Sequence, residues 1–279
     1  MSGAGNNMSA HSSGFSEELT FALSLADQAD AISLSRYRAL DLKITTKPDN
    51  TPVTDADRAV EEAIRGAIAA TYPTDTIVGE EFGDSRSSAD SQNRYWVIDP
   101  IDGTKNFLRG VPTWATLIAL VVDGQVVVSV VSSPALYRRW YATRGHGAYL
   151  LENSTPPRPL HVSGVQTIAD ASIAYSDFQG WGDRRNAFET LLDSAWRTRG
   201  VGDFWSHMLV AEGAVDAAIE PSLALWDMAA LDLIVTEAGG RFTSLDGIDG
   251  PFGPNAISSN SKIHTQVLSA LNLKENNNG

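Results

Sequence analysis

Two aspartates stand three positions apart in the stretch Trp96-Val97-Ile98-Asp99-Pro100-Ile101-Asp102-Gly103-Thr104-Lys105-Asn106-Phe107. Their carboxylates would put two like charges on one tight turn, an arrangement that repels itself unless cations lie between them. Hard oxygen donors at this spacing suit Mg²⁺. Gly103 lets the backbone approach a ligand closely, and the N–H groups of Asp102, Gly103 and Thr104 can point at an anion if a helix begins there. Metal and phosphate would then share one turn. An Asp-Gly-Thr turn that merely ends a strand has the same local sequence, so the turn alone leaves both readings open.

The elements around it have to place those side chains. The apolar run 95–98 predicts a buried strand that ends at Asp99. Upstream, Ser16 followed by Glu17 and Glu18 starts a helix whose stripe is Ala22, Leu25, Ala26, Ala29 and Ile32, running to about Leu40. Residues 47–52, with two prolines, predict a mobile loop. Thr54 caps a second helix with the stripe Val60, Ala63, Ile64, Ala67 and Ile68, which puts Asp55 and Asp57 in its first turn, where acidic residues suit the helix dipole. Residues 76–78 predict a short strand delivering Gly79-Glu80-Glu81, and 84–93 a surface loop.

Downstream, 114–122 and 125–132 read as strands paired around Asp123-Gly124, with 140–142 as another. The composition shifts at 154–159, which divides an α+β half, 16–153, from an α/β half, 154–279. In the second half, strands at 172–176 and 217–220 alternate with helices. One carries Phe188, Leu191, Leu192, Ala195 and Trp196, one spans 204–212, and one carries Trp226 to Ala238 and closes at Gly239-Gly240, with a strand end and turn at 199–203. Residues 1–15, rich in Ser, Gly and Asn, are expected to be disordered.

The chain has 279 residues, 43% hydrophobic and 20% charged, with 34 acidic against 21 basic residues and a net charge of -13. Such a surface argues against nucleic acid and anionic membrane as partners. The absence of cysteine excludes disulfides and thiol nucleophiles, and the five scattered histidines argue against zinc. No apolar run reaches membrane length and no signal peptide is visible, so a cytoplasmic protein is expected. An anionic substrate would need local cations to reverse the sign of the site.

The turn Asp99 to Thr104, the element Gly79-Glu80-Glu81, and the later Trp226-Asp227-Met228-Ala229-Ala230 with Glu237-Ala238-Gly239-Gly240 behind it resemble the signatures of the inositol monophosphatase family. That family comprises Mg²⁺-dependent phosphatases of sugar and polyol phosphates. The resemblance spans about 17–272 and is closest, over 99–112, to the family's actinobacterial histidinol-phosphate phosphatases. It implies a layered αβαβα sandwich, usually a homodimer, with two or three Mg²⁺ per site. It implies that Asp99 bridges two metals, that Glu80 and the Ile101 carbonyl hold the first, and that Asp102 and Asp227 complete the second. It gives Thr104, Asp57 and Glu80 the catalytic roles, with Thr104 and Asp57 orienting a metal-activated water, and puts Lys47 near the metals. Phosphate and substrate contacts fall on Asp102, Gly103, Thr104, Arg199, Asp203, Glu220 and Asp227. Asn255, Trp114 and Trp205 are weaker substrate candidates.

Three functions follow from these readings. One is hydrolysis of L-histidinol phosphate, with Asp203 and Glu220 as anions for the substrate ammonium. Another is the same chemistry on inositol, fructose or nucleotide phosphates, whose hydroxyls also suit carboxylates. The third is a non-catalytic interaction protein, which the complete ligand set and the acidic surface oppose.

Overall fold

In the computed structural model, which describes residues 14–47, 51–86, 93–153 and 155–272, the chain opens with α1 (Ser16–Arg36), a hairpin of β1 (Ile44–Thr46) and β2 (Pro52–Thr54), and α2 (Asp55–Thr71). Then come β3 (Thr76–Gly79), β4 (Gly83–Asp84), β5 (Arg94–Asp102), the short α3 (Thr104–Arg109), β6 (Ala115–Val122), β7 (Gln125–Ser133), β8 (Arg138–Thr143), β9 (Ala148–Glu152) and β10 (Arg158–Pro159). The remainder alternates: β11 (Ser172–Tyr175), α4 (Arg185–Ser194), β12 (Arg197–Gly200), α5 (Asp203–Ala211), β13 (Ala217–Glu220), α6 (Leu225–Glu237), β14 (Arg241–Thr243), β15 (Ala256–Ser259) and α7 (His264–Leu271).

Strands β3 to β10 form one eight-stranded sheet in the order β10-β9-β8-β7-β6-β5-β3-β4, and β11 to β15 a five-stranded sheet in the order β12-β11-β13-β15-β14. β5 is continuous apolar sequence because both of its faces are covered, as pleat geometry requires of a doubly packed strand. Trp96 and Ile98 turn one way, onto Leu25 of α1 and Ile64 of α2. Tyr95 and Val97 turn the other way, toward Phe204 and Met208 of α5 and the α6 residues Met228 to Val235. Apart from Asp232, the buried stretch of α6 from Met228 to Val235 is apolar all round because it lies between sheets, with Ala174, Ala218 and Ala256 of the smaller sheet against the same cluster. Beyond that sheet, Ile173, Ile219 and Ile257 face Phe188 and Leu191 of α4 and Val267 and Leu271 of α7. The layers therefore run αβαβα, as the resemblance implied.

The β6–β7 turn carries Asp123 at φ 50° and Gly124 at φ 73°, the backbone that a two-residue hairpin needs to match strand twist. Thr54 caps α2 as expected, in a capping box with Asp57. Two helix ends differ from their periodicity. α1 stops at Arg36, since Tyr37 is extended at ψ 121° and Arg38 is left-handed, so Leu40 stands fully outside. α4 stops at Ser194, leaving Trp196 exposed rather than on the buried stripe. The disordered segment expected over 1–15 lies, up to residue 13, outside the described residues. So do residues 48–50 of the expected mobile loop and 87–92 of the expected surface loop. No described helix is long and apolar enough to cross a membrane.

Candidate active site

β5 runs in register with β6 as far as Asp99, slips, and resumes at Asp102. The slip makes room for the turn: Pro100 offers its carbonyl to the Thr116 hydroxyl at 2.8 Å, and the Ile101 N–H folds back onto Asp99 Oδ1 at 3.0 Å. Gly103 follows at φ 82°, where a Cβ would meet the Thr113 carbonyl oxygen at 3.0 Å, so only glycine passes without strain. Both aspartates are thereby aimed off the strand end.

Two helices converge on them. Asp227 sits in the first turn of α6 and takes the Ala224 N–H on Oδ2 at 2.7 Å, and Asp102 Oδ2 accepts the Phe204 N–H, 2.6 Å away, at the start of α5. Carboxylate oxygens of Asp99, Asp102 and Asp227 all lie within 4.8 Å of one another. Burial pushes all three carboxyls up. Asp99 is pushed further by Glu80, Asp102 and Asp227, and Asp102 by Asp203 and Asp227; Asp227 is pushed to about 6. Three carboxylates held this close repel one another. A divalent cation with hard oxygen ligands suits that donor set, so the residues present fit Mg²⁺.

Glu80 stands beside the trio rather than within it. Lys47 reaches it at 2.8 Å and reaches Glu81 at 2.6 Å. Burial and hydrogen bonding to the two glutamates act oppositely on this lysine, and the glutamates win, raising its ammonium well above the usual lysine range. Thus Lys47 stays an ammonium over the neutral range. Behind the turn, the Thr104 hydroxyl lies 3.3 Å from Asp57 Oδ1 and 3.0 Å from the Ile101 carbonyl. Asp57 is fully buried, and its Oδ2 is held by the Thr54 N–H at 2.9 Å and hydroxyl at 2.5 Å. Burial raises its carboxyl, against those bonds.

A cleft of about 380 Å³ opens over the turn, lined by Glu80, Gly103, Thr104, Asn106, Ser176 and Asp203 among others. Glu220 ends β13 and is 3% exposed; burial pushes its carboxyl up to about 8. Ser176 donates to Glu220 Oε1 at 2.6 Å and accepts from the Asp203 N–H at 3.0 Å, joining the two acids. Asp203 has φ 52° and takes the Asn106 amide on Oδ2 at 3.0 Å, while burial raises its carboxyl.

Arg199 is not at this cleft. It lies exposed on β12, an edge strand, its guanidinium turned to the Thr198 carbonyl at 2.7 Å, and only the turn that follows the strand, Val201 to Asp203, lines the cleft. The weaker candidates are also placed elsewhere. Trp114 is core, packed on Phe107 at a centroid distance of 4.9 Å; Trp205 packs on the central cluster; and Asn255 Oδ1 accepts the Leu245 N–H. Sequence reasoning gave no role to Ser176 or Asn106. The only signal for Ser176 was its place after a strand of an α/β half, where ligands of such sheets collect.

The layering and the acidic strand end together place the protein among the metal-dependent phosphatases. Residues 16–274 match the model of the inositol monophosphatase family, and the chain belongs to that family. Similar relatives include proteins named histidinol-phosphatase from Mycobacterium tuberculosis, 52% identical over 92% of this chain and 98% of the relative, and from Streptomyces coelicolor, 53% identical over the same shares. Among solved structures, the extragenic suppressor protein SuhB from Bartonella henselae superposes with a TM-score of 0.82 at 29% identity, covering 92% of this chain and 99% of that one. An IMPase from Thermotoga maritima gives 0.81 at 28% identity over 92% and 97%.

Proposed function

We propose that this chain hydrolyses L-histidinol phosphate to L-histidinol and phosphate, a step of histidine biosynthesis, with Mg²⁺ as cofactor. The phosphatase class follows from family membership. The observation that carries the substrate is the pair Asp203 and Glu220: Asp203 lines the cleft over the turn together with Glu80 and Thr104, and Glu220 is joined to it through Ser176, which lines the same cleft. A substrate whose alcohol half bears an ammonium and an imidazole suits two carboxyl groups, which a cation draws into the ionised form, whereas a phosphate alone does not. The names of the two actinobacterial relatives support the same assignment.

Asp99, Asp102, Asp227, Glu80 and the Ile101 carbonyl would hold Mg²⁺, in two or three sites. Bound there, the ions supply Lewis acidity and neutralise the phosphate dianion. The Thr104 hydroxyl has one proton for two acceptors, Asp57 and the Ile101 carbonyl. Giving it to Asp57 frees the carbonyl as a ligand and leaves a hydroxyl lone pair to accept a proton of the attacking water. Asp57 holds this arrangement from behind, fixed by the α2 cap. The Gly103 and Thr104 N–H groups take a phosphate oxygen at the turn, and Asp203 and Glu220 hold the alcohol half. A cytoplasmic homodimer is part of this reading, and analytical ultracentrifugation checks its oligomeric part.

The decisive experiment is a steady-state comparison of L-histidinol phosphate with inositol 1-phosphate at one Mg²⁺ concentration. We expect kcat/KM for the first to be higher by on the order of a hundredfold, roughly 2.7 kcal/mol. Parity would favour a broad-specificity sugar or polyol phosphatase instead.

A further inference from the structure

A second cleft, of about 420 Å³, lies away from the phosphatase site, between the start of β7, the turn after β8, the middle of α6, and the chain from Arg241 to Phe252. Its volume falls in the roughly 300–1,000 Å³ range of small-molecule sites. Asp232 is one of the residues lining it. This carboxylate is only 6% exposed, and among the described residues it receives no hydrogen bond. Every other side chain on the buried stretch of α6, Met228 to Val235, is apolar. A buried acid without a donor is costly, since burial of a charge is compensated only by pairing. Burial pushes its carboxyl up to about 7, with Arg144 pulling it down and Asp249 pushing it up.

Arg144, at the rim, anchors through Nε to the Val126 carbonyl at 2.8 Å, and its two terminal nitrogens hold no hydrogen bond among the described residues. The other rim arginine, Arg241, is already engaged with Asp249 at 3.1 Å. The cleft therefore offers one unpaired anion within and one uncommitted cation at the edge. Phe242 and the half-exposed Phe252 supply apolar wall. A simple anion would be opposed by Asp232, and a simple cation by Arg144. A neutral ligand would leave both unsatisfied.

We propose that this cleft binds a small apolar or aromatic α-amino acid as its zwitterion, with the ammonium on Asp232, the carboxylate on Arg144 and the side chain against Phe242 and Phe252. The charge arrangement requires both ends of the ligand. The site shares α6 with Asp227 but no residue with the phosphatase cleft.

Isothermal titration of the full-length, Mg²⁺-loaded protein tests this with L-phenylalanine and L-leucine. N-acetyl-L-phenylalanine lacks the ammonium and L-phenylalaninamide lacks the carboxylate. At least one free amino acid should bind, and each blocked analogue should bind at least about tenfold more weakly. Asp232→Asn and Arg144→Gln should each lower the amino-acid affinity by a similar factor while keeping the basal rate of phosphate release, which reports an intact fold. Arg144→Gln lies at the surface and serves if Asp232→Asn does not fold. No binding by either amino acid up to about 10 mM would overturn the proposal. So would blocked analogues that bind equally well, or unchanged affinity in the variants, which would put the ligand in the acidic phosphatase cleft.

Discussion

Asp57→Asn tests the proposed division between groups that orient the attacking water and groups that hold the metal. Asp57 Oδ2 accepts the Thr54 N–H, a donor that cannot be reversed, so an asparagine has to place its carbonyl there. Its amide nitrogen then replaces Oδ1 and faces the Thr104 hydroxyl, now as a donor. Thr104 is forced to give its own proton to the Ile101 carbonyl, 3.0 Å away. The lone pair that should receive the water proton is taken, and the carbonyl is drawn from its role as a ligand. A misdirected proton contact of this kind costs on the order of a hundredfold in turnover. Metal affinity should weaken by less than about tenfold, because the carboxylates remain and outer groups have modest effects on it. Stability should change little. Two bonds from Thr54 become neutral, a loss of about 1 kcal/mol each, offset by no longer burying a charge whose carboxyl burial already raises. A net loss of about 1 kcal/mol would lower Tm by roughly 2–4 °C, too little to explain the activity. Rates at saturating Mg²⁺, Mg²⁺ titration calorimetry and thermal melts on one preparation measure all three. Turnover within threefold of the parent, or a loss of metal affinity as large as that of Asp99→Asn, would refute the division between orienting and ligating groups.

The remaining predictions rest on charge. Asp99→Asn, Asp102→Asn and Asp227→Asn should each abolish measurable Mg²⁺ binding by calorimetry, yet raise the melting temperature of the metal-free protein, since each removes one member of a repelling trio; a lower metal-free Tm in all three would argue that the cluster is not metal-seeking. Asp203→Asn and Glu220→Gln should erode the preference for L-histidinol phosphate over inositol 1-phosphate while sparing Mg²⁺ affinity, and an undiminished preference would remove these acids from substrate choice. His207 is buried, with Ser258 Oγ 2.8 Å from Nδ1, and burial pushes it down to about 4. Below its unfolded value near 6.5 the unfolded chain binds the extra proton, so stability is lost as pH falls from about 6.5 to about 4 and changes no further below that. Urea unfolding at pH 7 and pH 4.5 should show wild type losing on the order of 3 kcal/mol more than His207→Gln over that interval, and identical pH slopes would contradict it.

How far the site could be read from the chain depended on whether its parts were neighbours in sequence. Asp99, Asp102, Gly103 and Thr104 form one turn, so their chemistry was visible in their spacing, and the strand before them was visible because burial on both faces leaves an unbroken apolar run. Asp57 was visible as a helix-cap residue, but its contact with Thr104 bridges 47 positions and came only through resemblance. Asp227 was likewise hidden, since one aspartate in the first turn of an apolar helix is also what the helix dipole favours. Ser176 and Asn106 lay beyond reach, because a hydroxyl or an amide acquires a role only when another element arrives: here the left-handed Asp203 brings its N–H to Ser176 and its carboxylate to Asn106. Arg199 stands outside the cleft for the converse reason, as nearness in sequence to Asp203 does not decide which way an edge-strand side chain turns. The same distinction explains why Asp232 went unnoticed in the sequence: nothing in the spacing of α6 separates it from a solvated acid, and its significance lies in the sheets that close over both sides of the helix and leave its carboxylate without a donor.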